Sequence, residues 1–224
     1  MMKHELSGIA FDLDGTLYPN HRLFIRLLPF VLKHGRLLQT MGKARTMLRA
    51  ENRNGPFYDL QARIIAEFLR EDPETVKEKL ERLIYRGWEP LFRGIKPYAH
   101  VRETLEALRQ RGFKLGILSD FPPAKKLEYL GLGEGWDTVL CSEDSGRLKP
   151  DPLPFSTLAA SLGLPPDRIL YVGNSLHYDM AGAQKAGMRT ALIRSRWKKY
   201  LSSRIKTDFM FSDYRQLYHY VISF

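Results

Sequence analysis

Six short apolar runs, separated by stretches with helical periodicity, constrain the fold of this 224-residue chain more than any other feature. The runs cover residues 8–11, 114–118, 138–141, 169–172, 190–193 and, as an edge strand, 209–211. Near-continuous apolar strands that alternate with helices are typical of a parallel sheet covered on both faces. We therefore predict an α/β fold with a Rossmann-like, doubly wound parallel sheet.

The alternation is interrupted between about residues 19 and 93, where helical patterns occur without a clear strand. Helices are expected over residues 23–38, 43–53, 57–71 and 73–86. We expect Pro29 to kink or split the first of them, because proline removes a backbone hydrogen bond. Asp72 is expected to cap the last, with Pro73 at its first position. The sequence thus predicts a helical insertion between the first and second strands.

Basic residues are concentrated in the first half of this insertion. Eight basic residues and one acidic residue lie between Tyr18 and Tyr58, in a chain whose net charge is +10. Such a field attracts phosphorylated substrates or nucleic acid, and a solvated helix face in a basic protein explains it equally well. No nucleic-acid-binding motif accompanies the charge, so we do not expect nucleic acid as a partner.

Composition also bears on the cellular compartment. The single cysteine, Cys141, has no second cysteine with which to form an internal disulfide. No apolar run approaches the ~20 residues of a membrane span, and the first residues have no apolar signal-peptide region. We expect a cytoplasmic protein without membrane contact, present as a monomer or homodimer.

Two aspartates directly follow the first apolar run, in the segment D-L-D-G-T at 12–16. Side chains two residues apart on an extended segment leave on the same face, so Asp12 and Asp14 are expected to face one space. Two carboxylates that close raise each other's pKa unless a cation lies between them. The pattern favours a Mg²⁺ site in which one carboxylate is a nucleophile and the other an acid/base. Aspartates at strand ends also form turns and helix caps, which is the structural alternative.

Three further polar clusters each follow a predicted strand. They are Ser119 with Asp120, Lys149 before Pro150, and Asn174 with Asp179. A hydroxyl with backbone N–H groups at a strand-to-helix turn binds phosphate, and a lysine restricted by the following proline supplies a fixed positive charge. Carboxylate and amide oxygens are ligands that Mg²⁺ prefers. Because ligands bind beyond the carboxyl ends of parallel strands, we expect all three clusters to share one site with the aspartate pair.

The combination of these segments resembles the haloacid dehalogenase-like hydrolases, specifically the phosphatase branch with a helical cap after the first strand. The matching segments are D-L-D-G-T at 12–16, Ser119, Lys149 and G-N-S-L-H-Y-D at 173–179. The resemblance implies a core domain of residues 1–18 and 94–224 and an inserted α-helical cap domain of residues 19–93. It also implies a phosphoric monoester hydrolase that acts on a small phosphorylated metabolite. Asp14 argues against a dehalogenase, whereas a phosphomutase, which also carries both aspartates, stays open.

The resemblance further implies a role for each matching residue. Asp12 would attack the phosphorus atom and form an aspartyl-phosphate, and Asp14 would protonate the leaving oxygen and later deprotonate the hydrolytic water. Ser119 and the backbone N–H of Asp120 would bind the phosphoryl oxygens. Lys149 would balance the negative charge of nucleophile and phosphate.

The implied metal is Mg²⁺, held by Asp12, the main-chain carbonyl of Asp14, Asn174 and Asp179. Residue 174 departs from the family pattern, which has aspartate at this position. Asparagine keeps an oxygen donor but removes one negative charge, so we expect weaker Mg²⁺ binding with the geometry retained. The alternative is a phosphate-ligand sensor with weak or no turnover.

Substrate choice in such a protein depends on side chains of the helical insertion. His21, Arg22 and Arg26 are candidates for substrate contact because they follow the first motif closely. The sequence does not identify the substrate.

Overall fold

The strands of the computed structural model, which describes residues 5–51, 55–194 and 205–224, form one parallel sheet. They are β1 (Gly8–Phe11), β2 (Lys114–Ser119), β3 (Thr138–Cys141), β4 (Ile169–Gly173), β5 (Arg189–Ile193) and β6 (Phe209–Phe211). Their order across the sheet is β3-β2-β1-β4-β5-β6. All six predicted strands are thereby confirmed, with bounds that differ by at most one residue.

Within the described residues, eight α-helices connect or flank these strands. They are α1 (Asn20–Ala50), α2 (Phe57–Leu69), α3 (Pro73–Leu80), α4 (Val101–Gln110), α5 (Ala124–Leu130), α6 (Pro152–Leu162), α7 (Ala181–Lys185) and α8 (Tyr214–Val221). Single π-helical turns lie at Glu81–Tyr85 and Leu176–Met180, and 3₁₀ turns at Glu89–Phe92, Ser142–Ser145 and Pro166–Arg168. None of the helices in the described residues is long and apolar enough to cross a bilayer.

The sheet is buried on both faces, as near-continuous apolar strands require. In β1, Ile9 and Phe11 belong to one apolar cluster, which includes side chains of α4, α5 and α8. Ala10, which points the other way, belongs to a second cluster with side chains of α6 and α7. Helices therefore cover both faces, and the predicted Rossmann-like, doubly wound α/β fold is confirmed.

A third apolar cluster lies among the helices between β1 and β2. It contains buried side chains of the second half of α1, of α2 and of α3, together with Leu148 from the sheet-bearing part of the chain. At the start of α3 the Asp72 side chain accepts a hydrogen bond from the Thr75 backbone N–H at 3.0 Å, and Pro73 is the first helical residue. The predicted cap of this helix is confirmed, and the helix continues as the π-helical turn.

The predicted break at Pro29 is wrong in its position. Pro29 lies within a single helix, α1, whose backbone departs from helical geometry at His34 (φ −125°, ψ 26°). Gly35 follows directly, and glycine loses more conformational entropy in a helix than any other residue. The kink therefore forms beside the glycine, where the helix is weakest. The end of the predicted helix 43–53, including Arg53, lies outside the described residues.

Candidate active site

The predicted site residues lie where three neighbouring strands end. β1 pairs with β2 on one side and with β4 on the other, all parallel, so their carboxyl ends meet at one edge. Asp12 directly follows β1, Ser119 ends β2, and Asn174 directly follows β4. Lys149 arrives from the segment that precedes α6. The topology thus brings together residues that are far apart in sequence.

Asp12 is buried and both of its carboxylate oxygens are bound. Its Oδ1 accepts a hydrogen bond from Lys149 Nζ at 2.7 Å, and its Oδ2 accepts one from Thr16 Oγ1 at 2.7 Å. Burial raises the pKa of Asp12 to about 7. The negative charges of Asp179 and Asp14 raise this pKa further, whereas the positive charge of Lys149 lowers it. The arrangement fixes the orientation of the carboxylate while keeping a cation beside it.

Lys149 bridges two carboxylates beneath the site. Its Nζ lies 2.7 Å from Asp12 Oδ1 and 2.7 Å from Asp179 Oδ1, and the residue is only 3% exposed. Burial disfavours the ammonium, but the two carboxylates raise the pKa of Lys149 well above its ordinary value. Lys149 therefore remains charged, and its cation balances the two acidic side chains.

Asp14 has partners of its own. Its Oδ1 accepts a hydrogen bond from the Tyr18 hydroxyl at 2.5 Å, and its Oδ2 accepts one from Lys126 Nζ at 2.7 Å. Lys126 belongs to α5 and is largely buried. The two aspartates of the first motif are thus held by different cations, which gives them different electrostatic environments.

Asn174 contacts the backbone of the first motif. Its Nδ2 donates a hydrogen bond to the main-chain oxygen of Asp14 at 2.7 Å. Gly15, which lies between Asp14 and Thr16 in the chain, has a φ of +84°. A Cβ atom at this position would lie 2.0 Å from Asn174 Nδ2. Only glycine fits this conformation and this approach. Glycine at position 15 of the motif therefore permits the close contact between the turn after β1 and the Asn174 side chain after β4.

Asp179 organises the loop after β4. Its Oδ2 accepts hydrogen bonds from the backbone N–H groups of Asn174 (3.0 Å) and Ser175 (2.9 Å), while its Oδ1 accepts the bond from Lys149. A Cβ on Gly173 would lie 2.5 Å from the Asp179 Cβ, so the approach requires glycine. Both oxygens of Asp179 are thus engaged by protein donors, and its carboxylate supports the loop that carries Asn174.

The oxygen donors at the site fit a hard divalent cation. Among the described residues no group of three or more His, Cys, Asp or Glu side chains is arranged to hold a metal ion. The fit rests on mixed donors: the Asp12 carboxylate, the Asp14 carbonyl oxygen and the Asn174 amide. Rotation of that amide by half a turn would exchange its nitrogen for its oxygen at the Asp14 carbonyl, without moving the backbone. Carboxylate, carbonyl and amide oxygens are all ligands that Mg²⁺ accepts, with water completing the shell.

Ser119 and Asp120 form the turn after β2. Ser119 is fully buried, and its Oγ accepts the backbone N–H of Phe121 at 3.3 Å. The Asp120 carboxylate accepts hydrogen bonds from Ser142 Oγ at 2.5 Å and from the Lys149 backbone N–H at 3.2 Å. Burial opposes its charge, but Lys149 and two arginines lower the pKa of Asp120 below its ordinary value. The turn is therefore fixed from several sides and remains anionic.

Arg45, which sequence reasoning did not select, reaches this turn from α1. It is 5% exposed, donates to the Asp120 backbone oxygen at 2.8 Å and forms a buried ion pair with Glu143. Its guanidinium carbon lies 4.1 Å from the centre of the Phe121 ring. A signal for it exists in the sequence, because Arg45 follows Met41 by four residues and so interrupts the apolar face of α1.

Arg49 is a second missed residue, one turn further along α1. Its Nε donates to the Lys149 backbone oxygen at 2.9 Å, and its Nη2 lies 2.7 Å from Asp120 Oδ2. Its guanidinium also lies over the Tyr178 ring at 4.6 Å. The two arginines join α1 to the strand ends at the site.

The arginines proposed for substrate contact are engaged elsewhere. Arg22 donates to the Lys96 carbonyl oxygen at 2.9 Å, and Arg26 donates to the carbonyls of Leu91 and Arg93 at 2.6 and 2.5 Å. His21 is exposed. Proximity in sequence to the first motif is therefore a poor guide here, because backbone carbonyl groups of residues 91–96 hold both guanidinium groups.

Comparison with known proteins identifies the family. A model described as haloacid dehalogenase-like hydrolase matches residues 6–187. The chain belongs to the haloacid dehalogenase-like hydrolases. It is 33% identical over 215 residues to a glyceraldehyde 3-phosphate phosphatase of Methanopyrus kandleri, and 29% identical over 192 residues to the pyrophosphatase PpaX of Halalkalibacterium halodurans. Each alignment covers 84% of both chains.

Solved structures of haloacid dehalogenase-like proteins share the fold. A phosphatase of this family from Thermococcus onnurineus superposes with a TM-score of 0.65 at 24% identity, covering 96% of this chain and 98% of that one. An L-2-haloacid dehalogenase superposes with a TM-score of 0.69 at 19% identity, covering 97% and 99%. The fold is therefore common to both branches of the family. The curated relatives, by contrast, are phosphatases, which confirms the expectation of a family phosphatase.

Proposed function

We propose that this haloacid dehalogenase-like protein is a Mg²⁺-dependent phosphatase that hydrolyses a small phosphorylated metabolite through an aspartyl-phosphate on Asp12. The observation that carries the proposal is the environment of Asp12, whose carboxylate is buried, oriented by Thr16 and paired with Lys149 at 2.7 Å. A carboxylate in this position is both fixed in direction and close to a permanent cation. Those are the properties of a nucleophile that attacks an anionic phosphate.

Asp12 acts first in the proposed reaction. An oxygen of its carboxylate attacks phosphorus in line, and the bond from phosphorus to the leaving alcohol breaks. Ser119 and the N–H of Asp120 bind the phosphoryl oxygens, and Lys149 offsets their charge. Phosphate-monoester hydrolysis requires up to ~10²¹-fold acceleration, which positioning and electrostatic stabilisation supply.

Asp14 is the general acid and base of the proposed reaction. It donates a proton to the leaving alkoxide oxygen in the first step, and accepts one from the water that hydrolyses the aspartyl-phosphate in the second. Its contacts with Tyr18 and Lys126 hold the carboxyl group in place for both transfers. Separate partners for the two aspartates support separate roles.

Asp12, the Asp14 carbonyl oxygen and Asn174 are the residues that would hold Mg²⁺, with Asp179 fixing the loop from behind. When bound, the cation neutralises charge between the carboxylate and the phosphate. The protein contributes the oxygen donors and Lys149, which keeps the site close to electrical balance.

Residues 19–93 are assigned as the cap domain, and residues 1–18 with 94–224 as the core. The separate apolar cluster formed by the second half of α1, by α2 and by α3 supports this division. Arg45 and Arg49, which join α1 to the Asp120 turn, support a cap that closes over the strand ends. A closed cap excludes water and favours a small substrate.

The test is release of inorganic phosphate from p-nitrophenyl phosphate in the presence of Mg²⁺, by the parent protein and by Asp12→Asn. Equal rates for the two proteins contradict the proposal.

A second candidate function is a phosphate-ligand sensor with weak or no turnover. The observation that favours it is the position of the Asn174 amide, whose NH₂ group donates a hydrogen bond to the Asp14 carbonyl oxygen. The amide is also neutral, so it adds no negative charge to a cation site. In the sensor, phosphate binds at Ser119 and Lys149, and Mg²⁺-dependent hydrolysis is weak or absent.

Replacing Asn174 by aspartate is expected to lower the Mg²⁺ concentration that gives half-maximal phosphatase activity, by about tenfold. The new carboxylate adds a charged oxygen ligand for the cation. The variant also loses the hydrogen bond from residue 174 to the Asp14 carbonyl, and a carboxylate oxygen faces that carbonyl oxygen instead. Without Mg²⁺ the variant is therefore less stable than the parent, and Mg²⁺ raises its melting temperature more. Titration of activity and of melting temperature with Mg²⁺ measures both effects. Unchanged Mg²⁺ dependence of both quantities shows that residue 174 is not a ligand.

A further inference from the structure

A cavity of about 190 Å³ lies against Asp14, between the first half of α1, the turns before Arg93 and the segment after Asp120. Its walls include the apolar side chains of Leu27, Ile84 and Phe92. An engineered apolar cavity of ~150 Å³ binds benzene, so this space accepts a group of about the size of one aromatic ring. The presence of Asp14 in the wall places the cavity on the side where the leaving alcohol receives its proton.

The charged groups of the cavity do not favour a second anion. Lys126 is the only basic residue among the described residues of the wall, and its ammonium is paired with Asp14 at 2.7 Å. Glu89 adds an acidic group, and Asn20 and Tyr85 are neutral polar residues. A substrate with a second phosphate or a carboxylate would meet no unpaired cation among the described residues of the wall, and would meet the Glu89 carboxylate beside the Asp14–Lys126 pair. The wall therefore disfavours diphosphates and sugar acids.

The apolar part of the cavity wall extends to the protein surface. Phe24 belongs to its wall and is 62% exposed. Trp88 and Phe121 form a further aromatic part of the wall, with ring centres 6.1 Å apart. The three aromatic side chains thus enlarge the apolar surface that an alcohol group in the cavity would contact.

We propose that the substrate of this site is a phosphate monoester of an apolar alcohol that carries one group of about benzene-ring size, held between Leu27, Ile84 and Phe92. This inference rests on the proposed phosphatase function and names the class of its substrate. It separates the protein from its relatives named for glyceraldehyde 3-phosphate and pyrophosphate, whose leaving groups are polar or charged.

The test compares benzyl phosphate with glycerol 3-phosphate and pyrophosphate, each at a series of concentrations in Mg²⁺. Benzyl and glycerol phosphates are both esters of primary alcohols, so a difference in kcat/KM reports contacts of the alcohol and not its intrinsic reactivity. We expect kcat/KM for benzyl phosphate to exceed that for glycerol 3-phosphate by about 30-fold, the effect of burying several carbon atoms. Pyrophosphate is expected to be the poorest of the three.

Variants locate the effect in the cavity. Leu27→Gln places a polar group in the wall and is expected to lower the benzyl-to-glycerol ratio of kcat/KM by about tenfold or more. Leu32→Gln is the matched control, because Leu32 lies on the same helix, is 81% exposed and is not part of the wall. Its ratio should equal that of the parent. Phe24→Ser, at an exposed position, gives a smaller decrease and serves if Leu27→Gln does not fold by circular dichroism.

The possible results distinguish a wrong substrate class from a wrong proposed function. Hydrolysis that depends on Asp12 but prefers glycerol 3-phosphate or pyrophosphate overturns this inference and leaves the phosphatase proposal standing. A benzyl preference that survives in both Leu27→Gln and Phe24→Ser also overturns it, because the binding surface would then lie elsewhere. Absence of Asp12-dependent hydrolysis with every ester overturns the proposed function and this inference with it.

Discussion

Asp12→Asn is expected to lower kcat/KM for p-nitrophenyl phosphate by at least about 10³-fold while the protein stays folded. The amide has no anionic oxygen for attack on phosphorus, so the aspartyl-phosphate does not form. The size of the side chain is unchanged, and its oxygen can still accept from Lys149 while its NH₂ group donates to Thr16. Steady-state kinetics and a thermal melt of the same preparation measure the two quantities.

The matched control is Asp72→Asn. Asp72 caps α3 far from the strand ends, and asparagine is an equally good N-cap. We expect its activity and melting temperature to equal those of the parent. An Asp12→Asn protein that is folded and retains more than about a tenth of the parent rate is incompatible with Asp12 as nucleophile.

Arg45→Met is expected to destabilise the protein by about 3–5 kcal/mol, the cost of leaving one member of a buried ion pair alone. Glu143 is 1% exposed and faces Arg45 directly, and the methionine keeps the aliphatic bulk while removing the charge. Burial already raises the pKa of Glu143, and loss of Arg45 removes an attraction that lowers it. Urea unfolding gives the change in the free energy of unfolding.

The sign of the pH effect follows from that shift. In the variant, the pKa of Glu143 is higher in the folded state than in the unfolded chain, where it is near 4.5. The free energy of unfolding therefore falls as the pH rises above 4.5. The loss is therefore expected to be larger at pH 8 than at pH 5. Arg36→Met, at an exposed arginine of the same helix, should change stability by less than about 0.5 kcal/mol. A loss at Arg45 no larger than at Arg36 would show that the pair contributes little.

The sheet was predictable from sequence because its strands are buried on both faces. A run such as 169–172 must be apolar at every position when helices cover both sides, and that pattern is hard to mistake. The kink of α1 was not predictable in the same way. Proline at 29 is the stronger local signal, but the helix bends at His34, before Gly35, where its backbone is least stabilised.

The strand-end residues of the site were predictable because topology, and not local sequence, brings them together. Once β1, β2 and β4 are placed in one parallel sheet, Asp12, Ser119 and Asn174 must lie at its carboxyl edge. What the sequence leaves open there is the direction of each side chain. The contact of the Asn174 amide with the Asp14 carbonyl depends on the close approach that Gly15 permits.

Residues contributed by helices were missed because no motif marks them. Arg45 and Arg49 looked like members of a basic helix face, and no sequence pattern singles out Lys126. Each becomes distinctive only when its partner is known: Asp120 and Glu143 for the arginines, and Asp14 for the lysine. Such partners lie 71 to 112 positions away along the chain, beyond the reach of helical periodicity.

Chemical trapping of the aspartyl-phosphate shows directly whether Asp12 is the nucleophile. In Asp14→Asn the water that hydrolyses the aspartyl-phosphate is not deprotonated, so the intermediate should accumulate when the variant is mixed with p-nitrophenyl phosphate and Mg²⁺. Borohydride reduces an acyl phosphate to the alcohol, and peptide mass spectrometry of the quenched protein then locates the reduced residue. We expect homoserine at position 12 only in samples that received substrate. Homoserine at another aspartate, or none at position 12 while phosphate is released, would contradict that expectation.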